Sequence, residues 1–218
     1  TAALSLRFFE ECVGGSRAKV TWSPGLELSF NAHAPIEADF TLWYQRVSLL
    51  GSAFSTKVVF GEAKSFGGRR HTSFDGRRST NLDVFTDDDV SRLKRLAETF
   101  PGAVLVFSTM KRGSELTKQE ISRLRRLAEW GREYQEDTRR TRAPVIILTG
   151  TELFAGYWLS QAWEDLGGKH AEFALSYREL DELGVLADAT QQLYLGMDSY
   201  DSWREKKWKA RRRHRSES

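Results

Sequence analysis

The chain has 218 residues, of which 40% are hydrophobic, 12% aromatic and 29% charged, with a formal net charge of +3. That length and apolar content supply one substantial core and exclude wholesale disorder, while uncharged runs such as Ala143 to Thr151 fall far short of the roughly 20 apolar residues of a membrane span. The N-terminal stretch lacks the basic start and apolar run of a signal peptide, and one cysteine (Cys12) with four scattered histidines excludes an internal disulfide and offers no zinc cluster, so a reducing, cytoplasmic setting is expected.

Leu4, Phe8, Phe9 and Cys12 recur at helical spacing and Gly14-Gly15 follow as a stop, which predicts a helix over 4–12. The period then changes. Val20 and Trp22, then Leu26, Leu28 and Phe30 beyond a Pro24-Gly25 turn, alternate as strand residues do, and Ile36 to Tyr44 continues with β-branched and aromatic residues; two or three antiparallel strands are expected. Thr56 to Lys64 (TKVVFGEAK) has the continuous apolar centre of a strand buried on both faces. Ser65 to Leu82 is rich in Gly, Arg, Ser and Asn and reads as a long binding loop. Thr86 caps a helix whose Val90, Leu93, Leu96 and Ala97 share one face, and Ala103 to Ser108 is a second buried strand. Thr117 and Glu120 form a capping box for a helix bearing Ile121, Leu124, Leu127, Ala128 and Trp130; Pro144 to Thr149 is a third buried strand, and helices over about 151–165 and 177–194 complete the globule. The order of elements gives an α/β fold with a mixed central sheet and helices on both faces.

Chemistry concentrates at the end of the first buried strand. Glu62 and Lys64 are two apart, so a carboxylate and an ammonium project to the same side of the sheet. Buried charges must be paired or bind an ion, and Asp39, in the middle of the preceding strand, supplies a second carboxylate that strand pairing would bring alongside. Two carboxylates beside a lysine form a hard oxygen site for Mg²⁺ or Mn²⁺. Such a site suits phosphodiester hydrolysis, because the metal lowers the pKa of a bound water and stabilises the charge of the pentavalent transition state, while Lys64 orients or deprotonates the water and neutralises charge. Glu37 alternates with Ala38 on the same strand and is a further acid in reach. An E-x-K tripeptide alone carries little information and is equally compatible with a surface Glu-Lys pair on an edge strand. Here it closes a V-V-F-G strand, an acid lies 23 positions earlier, and a helix-strand unit follows.

At these residues the sequence resembles the PD-(D/E)XK nuclease superfamily, whose restriction-endonuclease-like core is a helix, a β-meander, a helix and a further strand, matched here from Leu4 to Ser108. The resemblance implies that Asp39 is the first metal-binding acid, Glu62 the second and Lys64 the catalytic lysine, with the backbone carbonyl of Ala63 completing the metal shell. It also implies a glutamate from the first helix, for which Glu10 and Glu11 are both available. Ala38 stands where the family's proline would be. The core would then occupy 1–110, with an α/β extension of the same globule over 111–200.

The last segment, 201–218, holds eight Lys and Arg residues against three acids, a net of +5, which leaves −2 for the rest of the chain. Basic charge interleaved with Trp203 and Trp208 fits contact with phosphates and bases, so Lys206, Lys207, Lys209, Arg211, Arg212 and Arg213 are candidate nucleic-acid contacts, as are Arg69, Arg70, Arg77 and Arg78 in the glycine-rich segment. A solvated terminus or a protein-docking segment is the competing reading of the tail. No P-loop, dinucleotide fingerprint or nucleophile-elbow motif occurs, His71 reads as an exposed loop residue, and Trp130, Tyr134, Tyr157, Trp158 and Trp163 are spaced as core. The sequence thus predicts a metal-dependent nuclease acting on nucleic acid, with DNA favoured over RNA, and a non-catalytic nucleic-acid-binding or protein-interaction module of the same fold as the alternative. Opening on Thr1, the chain is also consistent with a segment that has an upstream domain or partner protein.

Overall fold

The structure is a computed structural model that describes all residues except 14–17, 31–32, 47–55, 66–82, 136–139, 156–157, 181–182 and 217–218. Helix α1 (Ala2–Phe8) runs into a π-helical turn over Phe9–Val13, so the predicted first helix is present but changes pitch at Phe9. Strands β1 (Ala18–Phe30), β2 (His33–Arg46) and β3 (Thr56–Lys64) follow, then α2 (Asp87–Thr99), β4 (Val104–Thr109), α3 (Lys118–Gly131), a two-residue pair β5 (Tyr134–Gln135) and β6 (Arg140–Thr141), and β7 (Val145–Leu148). The chain continues through α4 (Gly150–Leu153), α5 (Leu159–Leu166), α6 (Gly168–Leu180), α7 (Leu183–Leu195) and α8 (Tyr200–Ser216).

One five-stranded sheet, ordered β1-β2-β3-β4-β7, carries the fold. β1, β2 and β3 pair antiparallel, whereas β3, β4 and β7 pair parallel, joined through α2 and α3. Alternation along the parallel strands divides the core. Leu105, Phe107, Val145 and Ile147 pack with Phe85, Leu93, Leu96, Leu124 and Leu127 under α2 and α3, and Val104, Val106, Ile146 and Leu148 pack on the other face with Leu6, Phe8, Leu159, Trp163 and Leu186. The predicted α/β class, with a mixed sheet covered on both faces, is the observed one.

Capping fixes the helices over the first face. Thr86 Oγ1 accepts from the Asp89 N–H while Asp89 Oδ2 accepts from the Thr86 N–H, and Thr117 with Glu120 repeats the arrangement for α3. Glu120 also accepts from the backbone N–H groups of Val84 and Phe85, tying the entry of α2 to the start of α3.

Three expectations change. Pro24-Gly25 does not reverse the chain: β1 passes straight through, because it is an edge strand where a proline costs no ladder hydrogen bond, and Gly25 takes φ 64 without altering the register. The region between β7 and α8 holds four helices rather than two, with Gly167 and Gly168, both of positive φ, separating α5 from α6. Trp158 is 73% exposed and Trp130 is half-buried, so only Trp163 of the aromatic set whose side chains are described belongs to the core. The basic tail forms the helix α8. No helix among the described residues is long and apolar enough to cross a membrane.

Candidate functional site

The antiparallel pairing of β2 with β3 ends at Phe40 and Gly61, and continuing it by one step sets Asp39 opposite Glu62. Beyond that point side chains replace the ladder: Asp39 Oδ2 accepts the Ala63 N–H at 2.7 Å. The alternation of β2 also breaks here. Ile36 and Ala38 enter the α2 core, whereas Phe40, Leu42 and Tyr44 enter the opposite one. Gly25 of β1, with its positive φ, lies across from Asp39 between the pairs Pro24–Phe40 and Leu26–Ala38. Asp39 therefore sits at a kink that aims it along the edge of β3, in the manner in which strand irregularities re-aim side chains. Gly61 is needed beside it, since a Cβ there would run into the Phe40 ring.

Glu62 shares the α2 side of β3 with Phe60 and is completely buried. Its Oε1 meets two cations, Lys64 Nζ at 2.5 Å and Arg92 Nη2 at 2.8 Å. Its Oε2 is buried with no hydrogen-bond partner among the described residues. Behind Glu62 stands Asp89, whose Oδ1 lies 2.6 Å from Arg92 Nη2 and 3.4 Å from Lys64 Nζ while its Oδ2 is engaged in the Thr86 cap. The backbone of Glu62 is clamped from the other face: Ser108 Oγ donates to the Glu62 carbonyl at 3.2 Å and itself accepts from Ser5 Oγ of α1 at 2.8 Å. Ser108 is thus a bracket between α1, β3 and β4.

Electrostatics follow from this packing. Burial pushes the Glu62 carboxyl up to about 7, reinforced by the charges of Asp39 and Asp89, against the pull of the Lys64 hydrogen bond. Burial would lower Lys64, but its hydrogen bond to Glu62 and the charges of Glu62, Asp89 and Asp39 overcome it and hold the ammonium above its usual value. Asp89 is held below the usual carboxylate range despite burial, by the backbone and hydroxyl of Thr86.

The remaining sequence candidates are placed differently. Ala63 lies in the centre as the donor to Asp39, its carbonyl on the same edge of the strand. Glu37 is exposed and pairs across the ladder with the equally exposed Glu27, away from Glu62. Glu10 and Glu11 are exposed in the π-helical turn, Glu11 paired with Arg7 at 3.5 Å. Arg69, Arg70, Arg77 and Arg78 lie outside the described residues, as does His71. In α8 the described cations have partners within the chain: Lys206 with Asp198 at 2.6 Å, Lys207 with Glu133 at 2.9 Å and over the Trp203 ring, Lys209 with Glu205 at 2.6 Å. Arg211, Arg212 and Arg213 continue the same helix.

Sequence reasoning missed Asp89 and Arg92. The Thr86-x-x-Asp89 spacing is a capping-box signal and Arg92 lies one turn further on, but nothing local shows that this turn packs against Glu62; only the β3-α2-β4 crossover brings it there.

Among the described residues no cluster of three or more acidic, histidine or cysteine side chains is arranged to hold a metal ion. The donor set of Asp39, Glu62 and the Ala63 carbonyl nonetheless has the oxygen chemistry that Mg²⁺ takes, and Glu62 Oε2 is buried without a hydrogen-bond partner among the described residues.

No family model and no curated protein matches the chain. Among solved structures it is similar to the MspJI restriction endonuclease in complex with a 27-mer oligonucleotide, at 20% identity and a TM-score of 0.35, over 84% of this chain and 31% of that one. A likeness that distant, spanning under a third of the other protein, does not bear on the function of this chain.

Proposed function

We propose that the chain is a divalent-metal-dependent nuclease that hydrolyses phosphodiester bonds in DNA, with Asp39, Glu62 and Lys64 at its centre. The observation that carries this reading is a completely buried glutamate with one carboxylate oxygen unpartnered among the described residues, beside a lysine ammonium and next to Ala63, whose N–H donates to Asp39 of the neighbouring strand. A fold gains little from burying such a charge, whereas a hydrolytic centre needs it. Asp39, Glu62 and the Ala63 carbonyl would hold the ion. Bound there, it would lower the pKa of an attacking water and neutralise charge on the phosphoryl oxygens. Lys64, kept protonated by its acidic neighbours, donates to a phosphoryl oxygen and stabilises the charge that builds up in the transition state. Asp39, anchored on the Ala63 N–H through one oxygen, keeps its other oxygen for the ion or the water.

A second reading, that of a non-catalytic module of the same architecture, draws on a different observation: Glu62 Oε1 is already neutralised by Lys64 and Arg92, an arrangement that can serve packing alone. The two readings part in one assay. Purified chain incubated with plasmid DNA, linear DNA and RNA degrades the DNA in Mg²⁺ and leaves it intact in EDTA if the first is correct; equal inertness in both favours the second.

A further inference from the structure

We propose that Arg92 is a substrate-phosphate ligand of this centre, tethered by Asp89 and borrowed by Glu62 when no substrate is present. The inference rests on the hydrolytic reading above and adds to it a residue that no E-x-K pattern includes. Every hydrogen bond of the Arg92 guanidinium to the described residues passes through one nitrogen, Nη2, which serves both Glu62 Oε1 at 2.8 Å and Asp89 Oδ1 at 2.6 Å. Nε is buried, and neither it nor Nη1 has a partner among the described residues, although the side chain is 30% exposed. An arginine retained only to neutralise Glu62 and Asp89 would spread its fork over their oxygens, since bidentate pairing is what makes Arg–carboxylate contacts strong. Here the fork is largely unspent, at the edge of a site whose carboxylates are buried and whose second cation, Lys64, is partly open to solvent.

Asp89 makes the tether durable. Its Oδ2 is fixed by the Thr86 N–H and hydroxyl at 2.8 Å each, so its Oδ1 stays aimed at Arg92 whatever Glu62 does. The Glu62 contact is the exchangeable one, because Glu62 belongs to the proposed ion-binding set and its Oε1 is shared with Lys64. A phosphodiester oxygen presented at the exposed edge would meet Nη1 and Nη2 in the fork geometry that suits phosphate, with Lys64 alongside. The charges agree: Glu62 and Asp89 face the two cations Lys64 and Arg92, and Asp39 nearby adds a third carboxylate, so the centre has room for the positive charge of the ion proposed above and, with it, the phosphate that Arg92 would hold.

The test uses the full chain with a short fluorescein-labelled DNA duplex, read by anisotropy in Ca²⁺ across a salt series, with cleavage followed separately in Mg²⁺. Arg92→Gln should weaken binding about tenfold or more, the worth of one charged hydrogen bond, and flatten the slope of log affinity against log salt by about one contact. Arg92→Lys keeps a cation for Asp89 and Glu62 without the fork; it should retain the slope and thermal stability but recover only part of the affinity. Unchanged affinity and slope in both variants, with a lowered melting temperature, would overturn the inference and make Arg92 a structural ion pair while leaving wild-type cleavage, and so the hydrolytic reading, intact. A wild-type chain that neither binds nor cleaves would overturn both. If Arg92→Gln does not fold, Arg92→Lys decides alone: full wild-type affinity in it refutes a phosphate fork.

Discussion

Replacing Lys64 by methionine separates chemistry from packing, because it removes the ammonium and keeps the apolar stem. In the structure the lost group is 34% exposed and contacts Glu62 Oε1 at 2.5 Å and Asp89 Oδ1 at 3.4 Å. Both carboxylates keep Arg92, at 2.8 and 2.6 Å, so neither is left as a stranded buried charge, which would cost about 3–5 kcal/mol. The loss is that of a part-exposed ion pair, about 1 kcal/mol at most, or a fall of about 2–4 °C in melting temperature for a chain of this size. Turnover should suffer far more, by about 100-fold or more, the usual result of removing a preorganised donor from a developing oxyanion. Binding of duplex DNA in Ca²⁺ should stay near wild type, since an interaction made in the transition state is absent from the ground state. Thermal melting, anisotropy and a plasmid-nicking time course measure the three quantities. Equal losses in binding and turnover would refute the reasoning and make Lys64 a phosphate anchor; unchanged nicking would remove it from the chemistry altogether.

Gly61→Ala drives a methyl into the fully buried Phe40 ring and should cost about 1–3 kcal/mol, a drop of several degrees on melting, whereas an unchanged melting temperature would show that Phe40 repacks freely. Asp83 accepts from Thr117 Oγ1 and pairs with Arg123, which together hold its carboxyl below the usual 3.8. Asp83→Asn should therefore lower stability by about 1 kcal/mol at neutral pH, and that deficit should shrink as pH falls below 3.8, where wild type also loses the charge; a deficit constant with pH would mean the contact acts by shape alone. Deleting the chain from Trp203 onward should flatten the salt dependence of DNA binding while leaving cleavage measurable at low salt. Lys206, Lys207 and Lys209 are paired within the chain, so each would have to exchange an internal partner for a phosphate; an unchanged slope would pass the role to the arginines at 69, 70, 77 and 78.

The buried strands Thr56–Lys64, Val104–Thr109 and Val145–Leu148 were legible because an uninterrupted apolar run between turn signals has few other uses, and the caps at Thr86 and Thr117 because their spacing is local. The pairing of β2 with β3 could be anticipated from their succession. Long-range packing was not legible. Asp89 and Arg92 read as ordinary polar positions on an amphipathic helix until the crossover sets them over Glu62. The same blindness applies to Pro24-Gly25, which has the composition of a turn; only the edge position of β1 lets the strand continue through it. Nor could spacing distinguish the exposed Trp158 from the buried Trp163, since the break before α5 resets the helical phase.

The central claim is that the buried Glu62 is there for hydrolysis, and the most direct measurement is the rate of DNA cleavage in Mg²⁺ by wild type and Glu62→Gln prepared in parallel. Wild type should cut, EDTA should stop it, and the isosteric amide should reduce the rate to background while remaining folded. Cleavage by Glu62→Gln at the wild-type rate, or none by either protein, would contradict it.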